Sequence, residues 1–536
     1  MESYHGQNLL EKALRVRLRA VPVQAPRGAI LDREGRVLAT SLGGFGIYGV
    51  PAQISDKVGA ARTLSGILDT PAAGLLSRLG QSAAVVWLKR HASSALVLRV
   101  RKAGLPGIGV VPEAKRFYPG GTLASQVIGF AGSDNQGLEG IELSADRYLT
   151  GKAGAVRVEM DALNRQMPWA VHTYTPPVPG DTVVLSLDAH LQLIAERAAR
   201  QAQDATGAAG VSILIMNPKS GGILALANRP AYNPNTYWEY PPKDWRDPVV
   251  SDTFPPGSTF KPITLAAALQ EKVVNANSRF YDPGYTKVTG IPIRCWKDGG
   301  HGSVDLAQVV ANSCNVGFVA MGEKLGTPTF YRYLRAFGLL NRSGVDLPGE
   351  TRSIYPPEKN VRPVDLAVMA FGQTLAVTPL QLLTAICAIA NGGEMVRPHV
   401  IREVLSPVGK VVKPPGREMI RRVLSPGVAK EVTSLLVGVM AGTGKKAAVP
   451  GYVLAGKTGT AQAVVNGRYV EGQYIANFVG FGPVPNPRLA VLVVIHRPVG
   501  EYYGGQIAAP VFARVMEEAL NYLKIKPNVP VATKTG

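Results

Sequence analysis

Phe254-Pro255-Pro256-Gly257-Ser258-Thr259-Phe260-Lys261 sets a serine three residues ahead of a lysine, behind a Pro-Pro-Gly turn and ahead of an apolar run at 263–269. A helix starting near Ser258 puts Ser258 and Lys261 on one face, a turn apart. Such a start also turns free backbone N–H groups and the positive end of the helix dipole toward the serine oxygen. Pro262 then falls in the first turn, where a missing N–H costs least. No other serine in the chain has a lysine at that offset. The stretch reads as an activated nucleophile at the head of an apolar helix.

Two motifs downstream extend the reading. Ser313-Cys314-Asn315 lies in a segment, 305–325, that reads as helical, and Lys457-Thr458-Gly459-Thr460 directly follows a strand at 453–456. Each has a double elsewhere. Ser133-Asp134-Asn135 precedes the nucleophile, and Lys534-Thr535-Gly536 ends the chain in what reads as coil. Only the set at 258, 313 and 457 combines the order with helix, helix and strand contexts.

Outward from these motifs, apolar strands are expected at 181–187, 211–216, 223–227, 476–481 and 489–496. The pair at 211–227 turns through Asn217-Pro218-Lys219-Ser220-Gly221-Gly222 as a buried hairpin. Helices are expected at 189–202, 362–371, 378–390 and 508–523, the third ended by Asn391-Gly392-Gly393. Strands at both ends of this half around a helical middle predict one antiparallel sheet with helices packed on it, an α+β domain. Ahead of it, residues 26–39 read as a hairpin turning at Glu34-Gly35, 57–115 alternate short helices and strands, and Gly137-Leu138-Glu139-Gly140-Ile141-Glu142 leads into a helix to 149. These read as a scaffold, separated by Pro176, Pro177, Pro179 and Gly180. Residues 8–20 look amphipathic, and from 527 onward the chain reads as a loose tail.

Composition narrows the function class. With 536 residues, 46% hydrophobic and 18% charged, the chain has length for two or more folded domains. A formal charge of +20 implies polyanionic surroundings. No zinc-finger spacing, RNA-binding aromatic motif or helix-turn-helix signature accompanies it, so no nucleic-acid partner is expected. An anionic cell wall or membrane surface fits. Cys295, Cys314 and Cys387 set no disulfide framework or metal cluster by spacing; buried thiols, and neither metal nor cofactor, are expected.

The ordered trio is a signature shared by penicillin-binding proteins and class A β-lactamases. From about residue 23 to 523 the chain resembles a class B penicillin-binding protein. In the scaffold half the resemblance rests on Arg27-Gly28 through Leu38-Ala39 and Gly137-Leu138-Glu139-Gly140; in the other, on Pro256 to Pro262, Asn312 to Asn315 and Gly456 to Ala461, with Gly300-His301-Gly302 and Phe371-Gly372-Gln373. The resemblance implies a penicillin-binding/serine β-lactamase-like transpeptidase domain over 181–525 behind an N-terminal mixed α/β pedestal of the dimerisation type over 23–180. A juxtamembrane-like segment, 1–22, and a flexible tail, 526–536, flank them. It further implies a D,D-transpeptidase that cross-links peptidoglycan stem peptides ending in D-Ala-D-Ala, is acylated by β-lactams, and works beside a membrane glycosyltransferase or other cell-wall synthesis proteins.

The roles follow from chemistry and from that likeness. Ser258 is the expected nucleophile, and Lys261 its base once its amine is held neutral. Lys457 is expected to supply the second positive charge that does so, and Ser313 to relay the proton. Asn315 is expected to orient the substrate amide. Thr458 and Thr460 with Lys457 should bind the terminal carboxylate, and the N–H groups of Ser258 and Thr460 the oxyanion. Gly459 is expected to keep a Cβ out of the substrate's way.

Simpler roles are expected for other residues. Cys314 should point into the core, Trp296 either line the cleft or pack inside, and His301 serve a turn. Asp32 and Glu139 should pair with scaffold arginines, with Arg27 as an ion-pair anchor. Two other functions suit the same fold: a carboxypeptidase or β-lactamase, and a non-catalytic β-lactam sensor. The hydrolases need a base for water, and the nearest acidic candidate, Glu350, reads as a turn residue. No window reaches the roughly 18 apolar residues of a membrane span, and the start lacks a signal peptide's pattern. The function nonetheless places the protein at the extracytoplasmic face of the bacterial membrane. The sequence is therefore read as truncated or starting late, its anchor helix lying upstream of Met1. Sequencing the locus should reveal an in-frame apolar stretch of about 20 residues there; an upstream stop codon without one contradicts this.

Overall fold

The computed structural model describes residues 18–83, 85–159, 173–414, 416–465 and 468–530. The sheet that carries the chemistry is five-stranded and antiparallel throughout. Its order is Ile223–Arg229, Gly210–Met216, Leu489–His496, Arg468–Gly482 and Ala455–Val465. The strand Leu489–His496 is buried at seven consecutive positions because helices cover both faces. On one face lie Ala189–Thr206 and Gly504–Tyr522, whose apolar sides meet Val211, Ile213, Val491 and Val493. Asp188 caps the first, accepting from His190 N and Leu191 N at 3.0 and 3.3 Å, and Gly207 ends it in the left-handed region. The other face carries the larger core, with Lys261–Gln270, Asn315–Ala336, Pro379–Ala390 and Pro426–Val439. Every residue of Pro379–Ala390 is buried, and Thr378 and Gln381 close its start as a capping box.

The expected strand at 181–187 is present as Thr182–Leu185, but it does not join this sheet. It pairs in parallel with Ile30–Leu31 and antiparallel with Ile401–Leu405. The scaffold sheet thereby runs Val411–Lys413, Ile401–Leu405, Thr182–Leu185, Ile30–Leu31, Val37–Gly49 and Val86–Ala92, with Ile108–Phe117 also on Val37–Gly49. Strands from both halves of the chain share it. The predicted hairpin at 26–39 forms, and helices Lys57–Leu68, Ala72–Leu79 and Ser94–Lys102 cover the far end around Leu64, Leu75 and Leu88.

Three expectations need correction. Within the amphipathic segment, Leu18–Val23 is a strand paired with Gly154–Glu159, and residues 1–17 lie outside the described residues. The tail is ordered further than composition suggests. Asn528 donates to Val484 O at 2.6 Å and accepts from Val453 N at 2.9 Å; Lys534-Thr535-Gly536 falls outside the described residues. Glu142, rather than Glu139, is the carboxylate that gathers the scaffold arginines.

Glu142 is wholly buried and bonds Arg27 through both its side chain and its carbonyl. Its other oxygen accepts from Arg116 Nε at 2.6 Å and Tyr118 OH at 3.2 Å. Arg27 also reaches Asp146 at 2.7 Å and Thr150 Oγ1 at 2.8 Å, so the anchor expected there forms. The expected pairing of Asp32 forms as well, with Arg36 at 3.1 Å. Removing one partner of a buried pair leaves an uncompensated charge. Glu142→Ala should therefore lower the stability of the scaffold transition by about 3–5 kcal/mol in chemical denaturation, whereas Arg36→Ala should change it far less, because the Arg36 guanidinium is half-exposed and the buried Asp32 keeps the backbone N–H groups of Glu34, Arg36 and Ala189.

Candidate active site

Ser258 sits on a 3-10 turn, Gly257–Phe260, that runs straight into the helix Lys261–Gln270, with Pro262 in its first turn as expected. Residues 261–269 are all buried, so Ser258, the expected nucleophile, stands at the head of a helix held on every side. The turn is backed by Phe371-Gly372-Gln373. Gly257 N donates to Gly372 O at 3.1 Å; Gly372 has φ +83°, and a Cβ there would lie 2.1 Å from Gly257 O. Only glycine fits.

Lys261 is fully buried, and its Nζ donates to Ser313 O at 2.7 Å, Ser313 Oγ at 3.1 Å and Asn315 Oδ1 at 2.8 Å. The rings of Phe318 and Phe371 lie 5.1 and 5.9 Å from it. Burial lowers this amine from its usual range to about 7, against a smaller opposing pull from the Cys314 and Cys295 sulfurs. The segment carrying Ser313 is not one continuous helix. It breaks between Leu306–Ala311 and Asn315–Ala336, with Ser313 in the left-handed region at φ +54°. That break turns both the Ser313 carbonyl and its hydroxyl onto Lys261. Such a conformation costs about 1–3 kcal/mol and persists where the surroundings enforce it. Asn315 spends its amide oxygen on Lys261 and donates to Arg294 O at 3.2 Å.

The third motif lies inside the strand Ala455–Val465 rather than after a strand. This is the sheet's edge strand, so one row of its backbone groups stays unpaired by the sheet. Alternation puts Lys457 and Gly459 on the buried side and leaves Thr458 and Thr460 half-buried. Lys457 Nζ donates to Thr458 O and Oγ1 at 3.2 and 3.3 Å. Its amine is depressed well below the usual lysine range, first by burial and then by repulsion from Lys261. Repulsion between two ammonium groups is mutual, so Lys457 and Lys261 each favour the other's neutral form, beside the larger effect of burial on both. Gly459 differs from expectation. A Cβ there would lie 2.4 Å from Asn477 Oδ1, so the glycine makes room for the core, not for substrate. Thr460 Oγ1 accepts from Gly504 N at 2.9 Å and keeps its hydrogen free to donate.

Ser258, Ser313, Asn315, Thr458, Gly459 and Thr460 open together onto one cleft of about 950 Å³. The decoy Ser133-Asp134-Asn135 stays in the scaffold, where Asp134 meets Arg90 at 3.3 Å and Asn135 donates to Ala25 O at 3.0 Å. Residues 211–517 match the penicillin binding protein transpeptidase domain, and residues 22–185 match the penicillin-binding protein dimerisation domain. The chain is 38% identical over 530 residues to stage V sporulation protein D of Bacillus subtilis, covering 97% of this chain and 82% of that one. It is 33% identical over 523 residues to the peptidoglycan D,D-transpeptidase FtsI of Escherichia coli, covering 95% and 86%. Among solved structures it resembles a peptidoglycan synthetase from Bifidobacterium adolescentis, with TM-score 0.78, 26% identity and coverage of 96% and 98%. Penicillin binding protein 3 of Mycobacterium tuberculosis, complexed with aztreonam, superposes with TM-score 0.74, 27% identity and coverage of 95% and 99%.

The chain belongs to the class B penicillin-binding proteins.

The cleft of this penicillin-binding protein has walls that no short motif announced. Tyr474 stacks on Tyr502 with ring centroids 3.9 Å apart, and residues 442–446 and 502–506 form rims. Trp296 lines the cleft, 59% exposed, with its indole N–H on Asn312 O at 2.9 Å. Asn477 binds the nucleophile turn from behind, accepting from Thr259 Oγ1 at 2.8 Å. These residues come from distant loops and strands, and only the basic pair Lys445-Lys446 leaves a compositional trace. Glu350 is a turn residue as expected, accepting from Ser343 N and from Gly344 N at 2.5 and 3.1 Å. Cys314 is buried as expected, yet neither it nor Cys295 is merely packed: both meet His301 and Asp282. His301 occupies its glycine turn with its ring nitrogen 2.7 Å from Asp282.

Lys261→Ala should slow acylation by a penicillin about 10²–10⁴-fold, the usual worth of a positioned base. Only the neutral amine accepts a proton, so wild-type acylation should climb as pH rises through about 7 and then level. Stopped-flow acylation across that interval checks both; a flat profile contradicts the assignment.

Proposed function

We propose that the chain is a serine D,D-transpeptidase that cross-links peptidoglycan stem peptides through a Ser258 acyl-enzyme. The observation that carries the reading is the bonding of the buried Lys261 amine to Ser313 beside the cleft that Ser258 enters. Neutral Lys261 takes the Ser258 proton as its oxygen attacks the carbonyl of the terminal D-Ala-D-Ala bond. The N–H groups of Ser258 and Thr460 receive the oxyanion. The proton then passes through the Ser313 hydroxyl to the leaving D-Ala nitrogen, and the C–N bond breaks. Thr458 and Thr460 hold the terminal carboxylate, with Lys457 behind them bonded to Thr458 Oγ1, and Asn315 fixes Lys261 while flanking the substrate amide. An amine from a neighbouring stem peptide then attacks the ester, its proton leaving by the same relay.

Penicillins enter by the same first step and remain as acyl groups. Among the described residues lining the cleft there is no carboxylate, which favours transfer to an amine over activation of water for hydrolysis. Among the described residues no helix is long and apolar enough to cross a membrane. The substrate class nonetheless places the protein at the extracytoplasmic face of the cell membrane, beside a glycosyltransferase that supplies glycan strands. A fluorescent penicillin should label the wild-type protein covalently and leave Ser258→Ala unlabelled. With a D-Ala-D-Ala donor and an added D-amino acid, the transfer product should exceed the hydrolysis product; labelling with hydrolysis alone points to a carboxypeptidase, and labelling with neither to a sensor.

A further inference from the structure

Five aromatic rings line the cleft: Trp296, Phe371, Tyr474, Tyr502 and Tyr503. Four of them are committed to the protein. Phe371 flanks the buried Lys261 amine, its centroid 5.9 Å from Nζ. Tyr474 stacks on Tyr502 at 3.9 Å, and Tyr502 leans on Tyr503 at 4.6 Å, so these three pack on one another. Trp296 is different. Among the described ring contacts it has the His301 ring alone, tilted at 62° with centroids 5.6 Å apart, and it stays 59% exposed. Leaving an indole in water gives up the burial that this side chain usually obtains. Yet the ring does not hang loose, because its N–H donates to Asn312 O at 2.9 Å. Asn312 adjoins Ser313, whose hydroxyl bonds Lys261 and is assigned to the proton relay.

The charges around the cleft show what such a ring can do. Lys445 and Lys446 stand on the rim, Lys261 and Lys457 are buried, and among the described lining residues there is no carboxylate. That field draws in the anionic terminus of a donor peptide and opposes the second substrate. The second substrate is an amine, and near neutral pH most of it is ammonium: α-amino groups titrate at about 7.7–8.0 and alkyl amines at about 10.4. With no carboxylate to meet it, a cation is drawn to the face of an electron-rich ring, and indole binds cations best of the aromatic side chains. Donating its N–H to a carbonyl polarises the indole further in the favourable sense.

We propose that the open face of Trp296 is the docking platform for the acceptor amine, received as its ammonium beside Ser313. The inference rests on the acyl-transfer reading above and adds to it the group that brings in the second substrate. The ammonium loses one proton to solvent before the amine attacks the ester. Donor and acceptor are then met by opposite chemistry, hydroxyls for the carboxylate and a π-face for the cation. Water carries no charge and gains little from that face, so the platform also favours transfer over hydrolysis.

The test follows transfer from a D-Ala-D-Ala donor to D-methionine at rising concentration, with penicillin acylation measured on the same proteins. Trp296→Leu keeps an apolar side chain and removes the π-face. It should raise the half-saturating acceptor concentration about 5–30-fold, change the maximal transfer rate less, and increase the share of hydrolysis. Trp296→Phe should fall between. Mono-, di- and trifluorotryptophan placed site-specifically at 296 drain electron density from the ring with little change of shape. The logarithm of the half-saturating concentration should climb with each fluorine, a readout that packing alone does not move and that stands even if Trp296→Leu fails to fold. A fluorine series without slope overturns the inference. So does penicillin acylation that falls as far as transfer, which makes Trp296 a support for Ser313. The two readings fail differently: wild-type protein that is labelled by penicillin but yields only hydrolysis removes the acyl-transfer function and the platform with it, whereas wild-type transfer equalled by every variant removes the platform alone.

Discussion

The site depends on keeping one amine out of water. A lysine at the surface stays protonated near neutral pH and cannot take a proton from serine. Lys261 is buried in the first turn of a helix whose residues 261–269 are all buried, and burial is the main cause that brings its amine to about 7. Burial of that kind is tolerable because three oxygens receive the Nζ and two aromatic rings flank it. Everything around it serves to hold those oxygens: the break at Ser313, the helix that starts at Asn315, and the packing of both against Lys261–Gln270.

A second constraint is the free edge of the sheet. An exposed edge strand invites pairing with other chains. Here the edge, Ala455–Val465, borders the cleft, where rims at 442–446 and 502–506 limit what reaches it. An extended peptide laid along such an edge gains main-chain hydrogen bonds whatever its side chains, and Thr458 and Thr460 stand half-buried beside it. The same strand carries Lys457 on its other side, so one alternation sets both the cleft-facing threonines and the buried amine.

The scaffold and catalytic halves are joined by more than a linker. Thr182–Leu185 lies between a scaffold strand and Ile401–Leu405, so the ladder is continuous across the prolines at 176–179. Near that seam Glu142 collects Arg27, Arg116 and Tyr118, and Arg116 Nη1 also donates to Gly28 O at 2.8 Å. Charges buried this deeply favour one arrangement, since any other leaves one of them unpaired.

Much of the site was legible in the chain because its elements are local. Ser258 and Lys261 share a helical turn, Pro-Pro-Gly announces the entry, and apolar runs mark Gly210–Met216, Leu489–His496 and Pro379–Ala390. Three ordered motifs sufficed to name the family. Hydrophobic periodicity is a property of neighbours along the chain, so it fixes which segments are strands or helices. What meets what is a matter of tertiary packing. That Thr182–Leu185 joins the scaffold sheet, that Gly459 yields its space to Asn477, and that Glu142 rather than Glu139 takes the arginines depend on contacts between residues far apart. So does the meeting of Asp282, Cys295, His301 and Cys314, delivered by a strand end, two loop positions flanking strands and a helix start. Residue types determined the chemistry open to this protein; folding decided which of them stand close enough to use it.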